Sequence, residues 1–112
     1  MLFRSLIGEL RNEEVREYVF NPAQLGMPVS SLSEIQVSDS SGSRDMMLAA
    51  LSNQPGPARD ILVLNAGAAI YVAGLADSHQ AGVQKAVEVL ASGAAKAKLD
   101  QFVAFTQKLK NY

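Results

Sequence analysis

The chain has 112 residues, of which 48% are hydrophobic and 19% charged, with a net charge of −1, a composition typical of one modest globular domain. The near-neutral charge disfavours nucleic acid or an anionic membrane as the main partner, and no apolar run is long enough to span a membrane. With no cysteine and one histidine, a disulfide framework and a thiolate or multi-histidine metal site are excluded. No secretory signal is recognisable, so we expect a cytoplasmic location.

The first five residues, MLFRS at positions 1–5, show no pattern that fits the sequence after them. We interpret them as a non-native sequence scar. On that reading, residues 6–112 are the C-terminal part of a longer protein.

A β-hairpin is predicted over residues 6–20. Two segments with apolar and β-branched residues, 6–10 and 15–20, flank Arg11-Asn12-Glu13-Glu14, and Asn tolerates the left-handed backbone of a tight turn. The acidic side chains of this region resemble a carboxylate site, but on a hairpin tip they more simply form a solvated edge. They are Glu13, Glu14 and Glu17.

Short turns and a loop are predicted next. Asn21-Pro22 starts one helical turn that Gly26 stops, and Ser30 or Ser31 caps a second turn ending near residue 35. Residues 37–43 are rich in Ser and Gly, which indicates a solvated loop. A phosphate-binding loop would need several glycines at defined spacing, and this segment has only one.

Four helices are predicted, at about 44–52, 57–73, 78–92 and 94–108. Three of them place mainly apolar residues on one face, at three- and four-residue spacing. These stripes are Met46, Met47, Ala50 and Leu51; Val83, Ala86, Val87 and Leu90; and Leu99, Phe102, Val103 and Thr106.

The helix at 57–73 is apolar on nearly every face, which is typical of a buried helix. Gly56 and Pro57 suit its start and Gly74 its end. Asn65 interrupts the apolar surface, and we expect its amide to bond to a neighbouring loop or helix. Gly67 indicates close packing against another element. The rest of the chain offers too little cover for this helix, so we expect further cover from a parallel sheet outside the chain.

The residues alone predict no catalytic, substrate-binding or metal site. His79 is expected to be an ordinary exposed histidine, because Asp77 lies only two residues away and shares no helical face with it. Arg59 and Asp60 carry opposite charges and are expected to serve helix capping and local pairing. The sequence holds no nucleophile–base pair, metal-ligand spacing or glycine-rich phosphate loop.

The segment GPARDILVLNAGAAIYVAG at 56–74 closely resembles the C-terminal region of the anthranilate phosphoribosyltransferase family. The resemblance extends to ELRNEEVREYVFNPAQLGMP at 9–28, to Asp39, and to ADSHQAGVQKAVEVLASGAAKAKLDQFVAF at 76–105. The chain departs from the family pattern in three places. Asn12-Glu13 replaces the usual Asn-Gly, residues 40–43 lack the customary Pro and Glu-Asn, and Gly67 stands where Ala is common.

The resemblance implies an α/β fold of the nucleoside phosphorylase/phosphoribosyltransferase C-terminal type, of which this chain holds a β-hairpin and an α-rich layer. It implies an enzyme of tryptophan biosynthesis that transfers phosphoribosyl from phosphoribosyl pyrophosphate to anthranilate, uses Mg²⁺ and forms a homodimer. The family's glycine-rich loop, its anthranilate-contacting Asn and Arg and its magnesium-binding Asp-Glu pair lie upstream of the matched region. No residue here matches them, so the isolated chain is expected to be inactive.

Two alternatives remain open. One is a non-enzymatic, nucleic-acid-binding paralogue of the same fold, and the other is a free-standing α-rich interaction domain. A reading frame that continues upstream into a glycine-rich loop and an Asp-Glu pair would favour the enzyme.

Overall fold

The computed structural model describes residues 5–28 and 30–110, in which a hairpin is followed by two short 3₁₀ turns and four α-helices. The strands are β1, Ser5–Arg11, and β2, Glu14–Phe20; the 3₁₀ turns are Pro22–Leu25 and Leu32–Ile35; the helices are α1, Ser40–Leu51, α2, Pro57–Val72, α3, His79–Ser92, and α4, Ala94–Leu109. Of the predicted scar at residues 1–5, residues 1–4 lie outside the described residues. Ser5, its last residue, pairs with Phe20 as the first residue of β1.

The hairpin has the predicted position and a two-residue turn. β1 and β2 pair antiparallel from Ser5 opposite Phe20 to Arg11 opposite Glu14. The turn residues Asn12 and Glu13 have φ values of 52° and 66°, the left-handed pair that matches the twist of the strands.

Both short turns are confirmed, each with a polar cap. The Asn21 side chain accepts a hydrogen bond from the Ala23 amide, and Gly26 ends the first turn. Ser31 caps the second turn, and the Glu34 carboxylate accepts from the Ser31 amide at 2.8 Å. This reciprocal arrangement is a capping box.

The predicted start of α1 at residue 44 was wrong, because the helix begins at Ser40. The Asp39 carboxylate accepts a hydrogen bond from the Gly42 amide at 2.7 Å, which satisfies one of the unpaired amides of the first turn. The serines at 40, 41 and 43, read as a solvated loop, therefore form that first turn.

The limits of the other three helices agree with prediction within one residue. Pro57 is the first residue of α2, and the Ser78 hydroxyl caps α3 by accepting from the Ala81 amide. Gly74 follows the end of α2 with φ 79° and Gly93 follows α3 with φ 82°, a backbone conformation that glycine adopts without steric cost.

The core lies where α2 packs on α3. Its buried side chains are Val63, Leu64, Val83, Ala86 and Leu90. The described residues cover only part of the apolar surface of α2. Asn65 and Ala69 are exposed, and Val72 is 84% exposed. None of the described helices is both long and apolar enough to cross a membrane.

Candidate functional site

A groove of about 650 Å³ lies between the hairpin and the C-terminal half of α2. It forms because β1 turns alternate side chains toward α2, so that Ile7 and Glu9 are half-buried while Leu6 and Leu10 are exposed. The polar and aromatic side chains lining the groove are Glu9, Arg11, Tyr18, Tyr71, Asp77 and His79.

A chain of hydrogen bonds crosses this groove through Tyr71. The Tyr71 hydroxyl donates to Glu9 Oε1 and accepts from Arg11 Nη1 at 3.1 Å. Glu9 and Arg11 are two residues apart on β1 and so lie on one face of the strand. The bonds connect β1 to α2 across about 60 residues of sequence, and they bring a carboxylate and a guanidinium to one phenol.

Tyr18 lies in the same groove on β2, opposite Ile7. Burial raises the pKa of Tyr18 above its ordinary value of 10.0, and electrostatic interactions with Glu9 and with Tyr71 raise this pKa further. Tyr18 is therefore a neutral phenol at physiological pH, suited to hydrogen bonding and not to acting as a base.

His79 is not the ordinary exposed histidine that the sequence predicted. It is half-buried, its Nε2 lies 2.9 Å from the Leu64 carbonyl oxygen, and its ring contacts Phe20 with centroids 4.7 Å apart. A carbonyl oxygen can only accept, so Nε2 carries the proton in this contact. The histidine thus connects the start of α3 to α2 and to the end of β2, a structural role.

The two residues that interrupt the apolar surface of α2 are Asn65 and Gly67, and the prediction for one of them is wrong while that for the other is confirmed. The expectation that Asn65 bonds to a neighbouring element was wrong: it is exposed, on the side of α2 that no described element covers, where water can satisfy an amide. Close packing at Gly67 is confirmed, since a Cβ there would lie 2.5 Å from the Val83 backbone nitrogen.

The charged residues considered as candidates in the sequence do not lie together in one site. The three glutamates of the hairpin, at positions 13, 14 and 17, are exposed as expected. Arg59 Nη1 lies 3.3 Å from Asn53 Oδ1 and 3.5 Å from its carbonyl oxygen, so its local partner is the turn before α2. Asp60 is only 8% exposed, in the first turn of α2.

Over residues 5–28 and 30–110, no group of three or more His, Asp or Glu side chains could hold a metal ion. The groove can position groups by hydrogen bonding, but its Glu9, Arg11 and Tyr71 are already paired with one another.

Sequence reasoning missed the groove because its polar residues are scattered along the chain. One signal was available in β1. Glu9 shares a strand face with Ile7, so a buried hairpin face would carry a carboxylate that needs a partner. Nothing in the sequence identified Tyr71, 62 residues away, as that partner.

The glycosyl transferase family, a/b domain, matches residues 2–96 of the chain. An anthranilate phosphoribosyltransferase from Dechloromonas aromatica is 52% identical over 104 residues, covering 93% of this chain and 31% of the relative. Proteins of the same name from Xanthomonas campestris pv. campestris and Cupriavidus necator are 51% and 48% identical, covering 93% and 95% of this chain and 30% and 31% of theirs. The chain therefore spans about 30% of the length of these relatives.

Proposed function

The chain belongs to the glycosyl transferase family, a/b domain, and we propose that it is part of an anthranilate phosphoribosyltransferase. The complete enzyme would transfer phosphoribosyl from phosphoribosyl pyrophosphate to anthranilate, release pyrophosphate and serve tryptophan biosynthesis. The observation that carries this proposal is 48–52% identity across at least 93% of the chain to three relatives of that name.

Within that enzyme, this chain would supply structure and not reacting groups. The α2–α3 pair forms the core, and the hydrogen bonds of Tyr71 hold the hairpin on α2. In the groove, Glu9, Arg11 and Tyr71 are paired with one another, and His79 is bound to a backbone carbonyl. We therefore propose that the isolated chain has no transferase activity.

Three further properties belong to this proposal through the family resemblance: the use of Mg²⁺, a homodimeric state and a cytoplasmic location. Mg²⁺ would assist departure of the negatively charged pyrophosphate by neutralising its oxygens. Its ligands would come from the part of the enzyme that this chain does not span. The net charge of −1 gives no support to the nucleic-acid-binding alternative.

A chimeric enzyme tests the function directly. Residues of this chain replace the matched segment of the Dechloromonas aromatica relative, and anthranilate consumption is followed with phosphoribosyl pyrophosphate and Mg²⁺. We expect the chimera to turn over at a rate close to that of the parent, and the 112-residue chain alone to give none. Omitting phosphoribosyl pyrophosphate is the control. A folded chimera without turnover would contradict the proposal.

A further inference from the structure

A buried carboxylate without a partner lies in the first turn of α2. Asp60 is 8% exposed, and no side chain caps this turn by a hydrogen bond. Within the part of the chain that the structure describes, the one ion pair joins Lys96 to Asp100, and the Asp60 carboxylate accepts no hydrogen bond. Asp60 thus makes neither the cap nor the ion pair expected from the sequence.

This carboxylate opens into a pocket. Over residues 5–28 and 30–110, no fully enclosed side-chain oxygen or nitrogen lacks a hydrogen-bond partner, so the unpaired oxygens of Asp60 keep contact with solvent. Asp60 lines a pocket of about 360 Å³ between the start of α2, α3 and the segment that follows the hairpin. Its walls are mainly apolar and include Leu25, Met27, Pro57, Val63 and Val87. This size, with apolar walls and few polar groups, is typical of a small-molecule site.

The pocket lies on the side of α2 that the chain itself covers. Asp60, Leu64 and Gly67 share one helix face by their spacing, and the latter two are buried against α3. The exposed residues Asn65 and Val72 lie on the opposite face. Structure that packs on the exposed face would therefore lie across the helix from the pocket.

Asp60 supplies the unneutralised charge of this pocket. Arg59 is the only other charged residue among those that line it, and its Nη1 lies 3.3 Å from Asn53 Oδ1. Asn53 does not line the pocket, so the guanidinium binds the turn before α2 and leaves the carboxylate unpaired. A carboxylate removed from water costs free energy unless a donor or a cation compensates it. The pocket is therefore suited to a ligand that brings a positive charge.

We propose that this pocket binds a small organic cation, a primary ammonium group attached to a compact apolar body. The ammonium donates to the Asp60 carboxylate in a charge-assisted hydrogen bond, which is stronger than a neutral one. The apolar body covers the accessible surface of Leu25, Met27 and Val87 and removes it from water. This site depends on residues of the present chain alone and is independent of the transferase activity proposed above.

Titration with benzylammonium chloride at neutral pH tests the proposal on the 112-residue chain, with backbone amide signals followed by NMR. We expect saturable shifts at Gly26, Met27 and Arg59, which line the pocket, and none at Glu9 and Tyr71 in the groove beside the hairpin. Benzyl alcohol has the same ring without the charge. It should bind about tenfold or more weakly, because it loses the charge-assisted bond.

A substitution at Asp60 locates the charge. Asp60→Asn keeps the shape of the side chain and should weaken benzylammonium binding about tenfold while leaving benzyl alcohol binding unchanged. Asp45→Asn, at an exposed position on α1, is the matched control and should bind as the parent does. The comparison of the two compounds on the parent chain needs no variant, so the test stands even where Asp60→Asn does not fold.

Three results would overturn the proposal. Shifts that do not saturate, or that lie in the groove beside the hairpin, would mean that the pocket is not the site. Equal affinities for benzylammonium and benzyl alcohol would mean that the carboxylate takes no part. Loss of binding in the chimera would mean that the rest of the enzyme occupies the pocket. None of these results requires turnover, so failure of the proposed transferase activity is read separately.

Discussion

Gly67 of α2 and Gly82 of α3 bring the backbones of the two helices into contact. A Cβ built on Gly82 would lie 2.2 Å from the Gly67 carbonyl oxygen, and one built on Gly67 would lie 2.5 Å from the Val83 nitrogen. Both distances are well below van der Waals contact, and the obstructing atoms belong to the backbone. The closeness of the α2–α3 crossing therefore depends on the absence of a side chain at both positions.

The substitution Gly82→Ala should destabilise the chain by about 2 kcal/mol, because the added methyl group forces the two helices apart and loosens the core around Val83. The steric cost of the methyl group should exceed the stabilisation of about 1 kcal/mol that alanine brings through its higher helix propensity. Urea unfolding followed by circular dichroism measures the change in the free energy of unfolding. Gly8→Ala, where the new Cβ meets no atom within 4 Å, is the control. A Gly82→Ala variant as stable as the parent would show that the helices can separate at no cost.

The bond chain through Tyr71 gives a second prediction. Tyr71→Phe removes the hydroxyl that bridges Glu9 and Arg11 while keeping the ring, and should lower the free energy of unfolding by about 1 kcal/mol. Hydrogen exchange of the β1 amides should rise, because the hairpin loses its polar connection to α2. Tyr18→Phe removes a hydroxyl in the same groove outside this bond chain and serves as the control. If the two variants are equally stable, the bridge does not hold the hairpin.

Local sequence signals predicted most elements of this fold, and long-range contacts were the part they could not predict. The limits of α2, α3 and α4 follow from Pro57, Ser78 and Gly93, each of which acts through its own backbone or its neighbours. Gly67 stood out because it interrupts an apolar helix. Its partner Gly82 lies near the start of an amphipathic helix, where nothing in the local pattern marks a close crossing.

The two errors at polar residues have the same origin. Asn65 was expected to be paired and is exposed, and His79 was expected to be exposed and is half-buried. Both expectations required knowing which side of α2 is covered. That depends on the path of the hairpin and α3 in space, which periodicity within one helix does not contain.

The early start of α1 leads to a third prediction. Asp39→Ala removes the carboxylate that accepts from the Gly42 amide, and should cost about 1 kcal/mol and fray the first turn of α1. Amide hydrogen exchange at residues 42–44 is the measurement. Asp45→Ala, which removes an exposed carboxylate from the interior of the same helix, is the comparison. Equal exchange in the two variants would mean that the serines at 40–43 are helical without the cap.

The raised pKa of Tyr18 predicts a loss of stability in alkaline solution. Burial, the Glu9 carboxylate and the neighbouring Tyr71 disfavour the Tyr18 phenolate in the folded chain. In the unfolded chain, Tyr18 ionises near the ordinary value of 10.0. The pKa of Tyr18 is higher in the folded chain than in the unfolded chain. Below the unfolded-state pKa, Tyr18 is neutral in both states and the chain keeps its full stability. As the pH rises through that value toward the folded pKa, the unfolded state loses its proton first and stability falls.

The measurement is the free energy of unfolding at a series of pH values from neutral to above the folded pKa of Tyr18. In the parent chain it should decline from about pH 10 upward. Tyr18→Phe should reduce this decline, since the variant has no proton to lose at this position. Tyr71→Phe should reduce it partly, because one of the groups that raise the pKa of Tyr18 is removed. In the contrary outcome, the free energy of unfolding declines equally in the parent and in Tyr18→Phe. That result would show that ionisation of Tyr18 is not coupled to folding and that other groups cause the alkaline loss of stability.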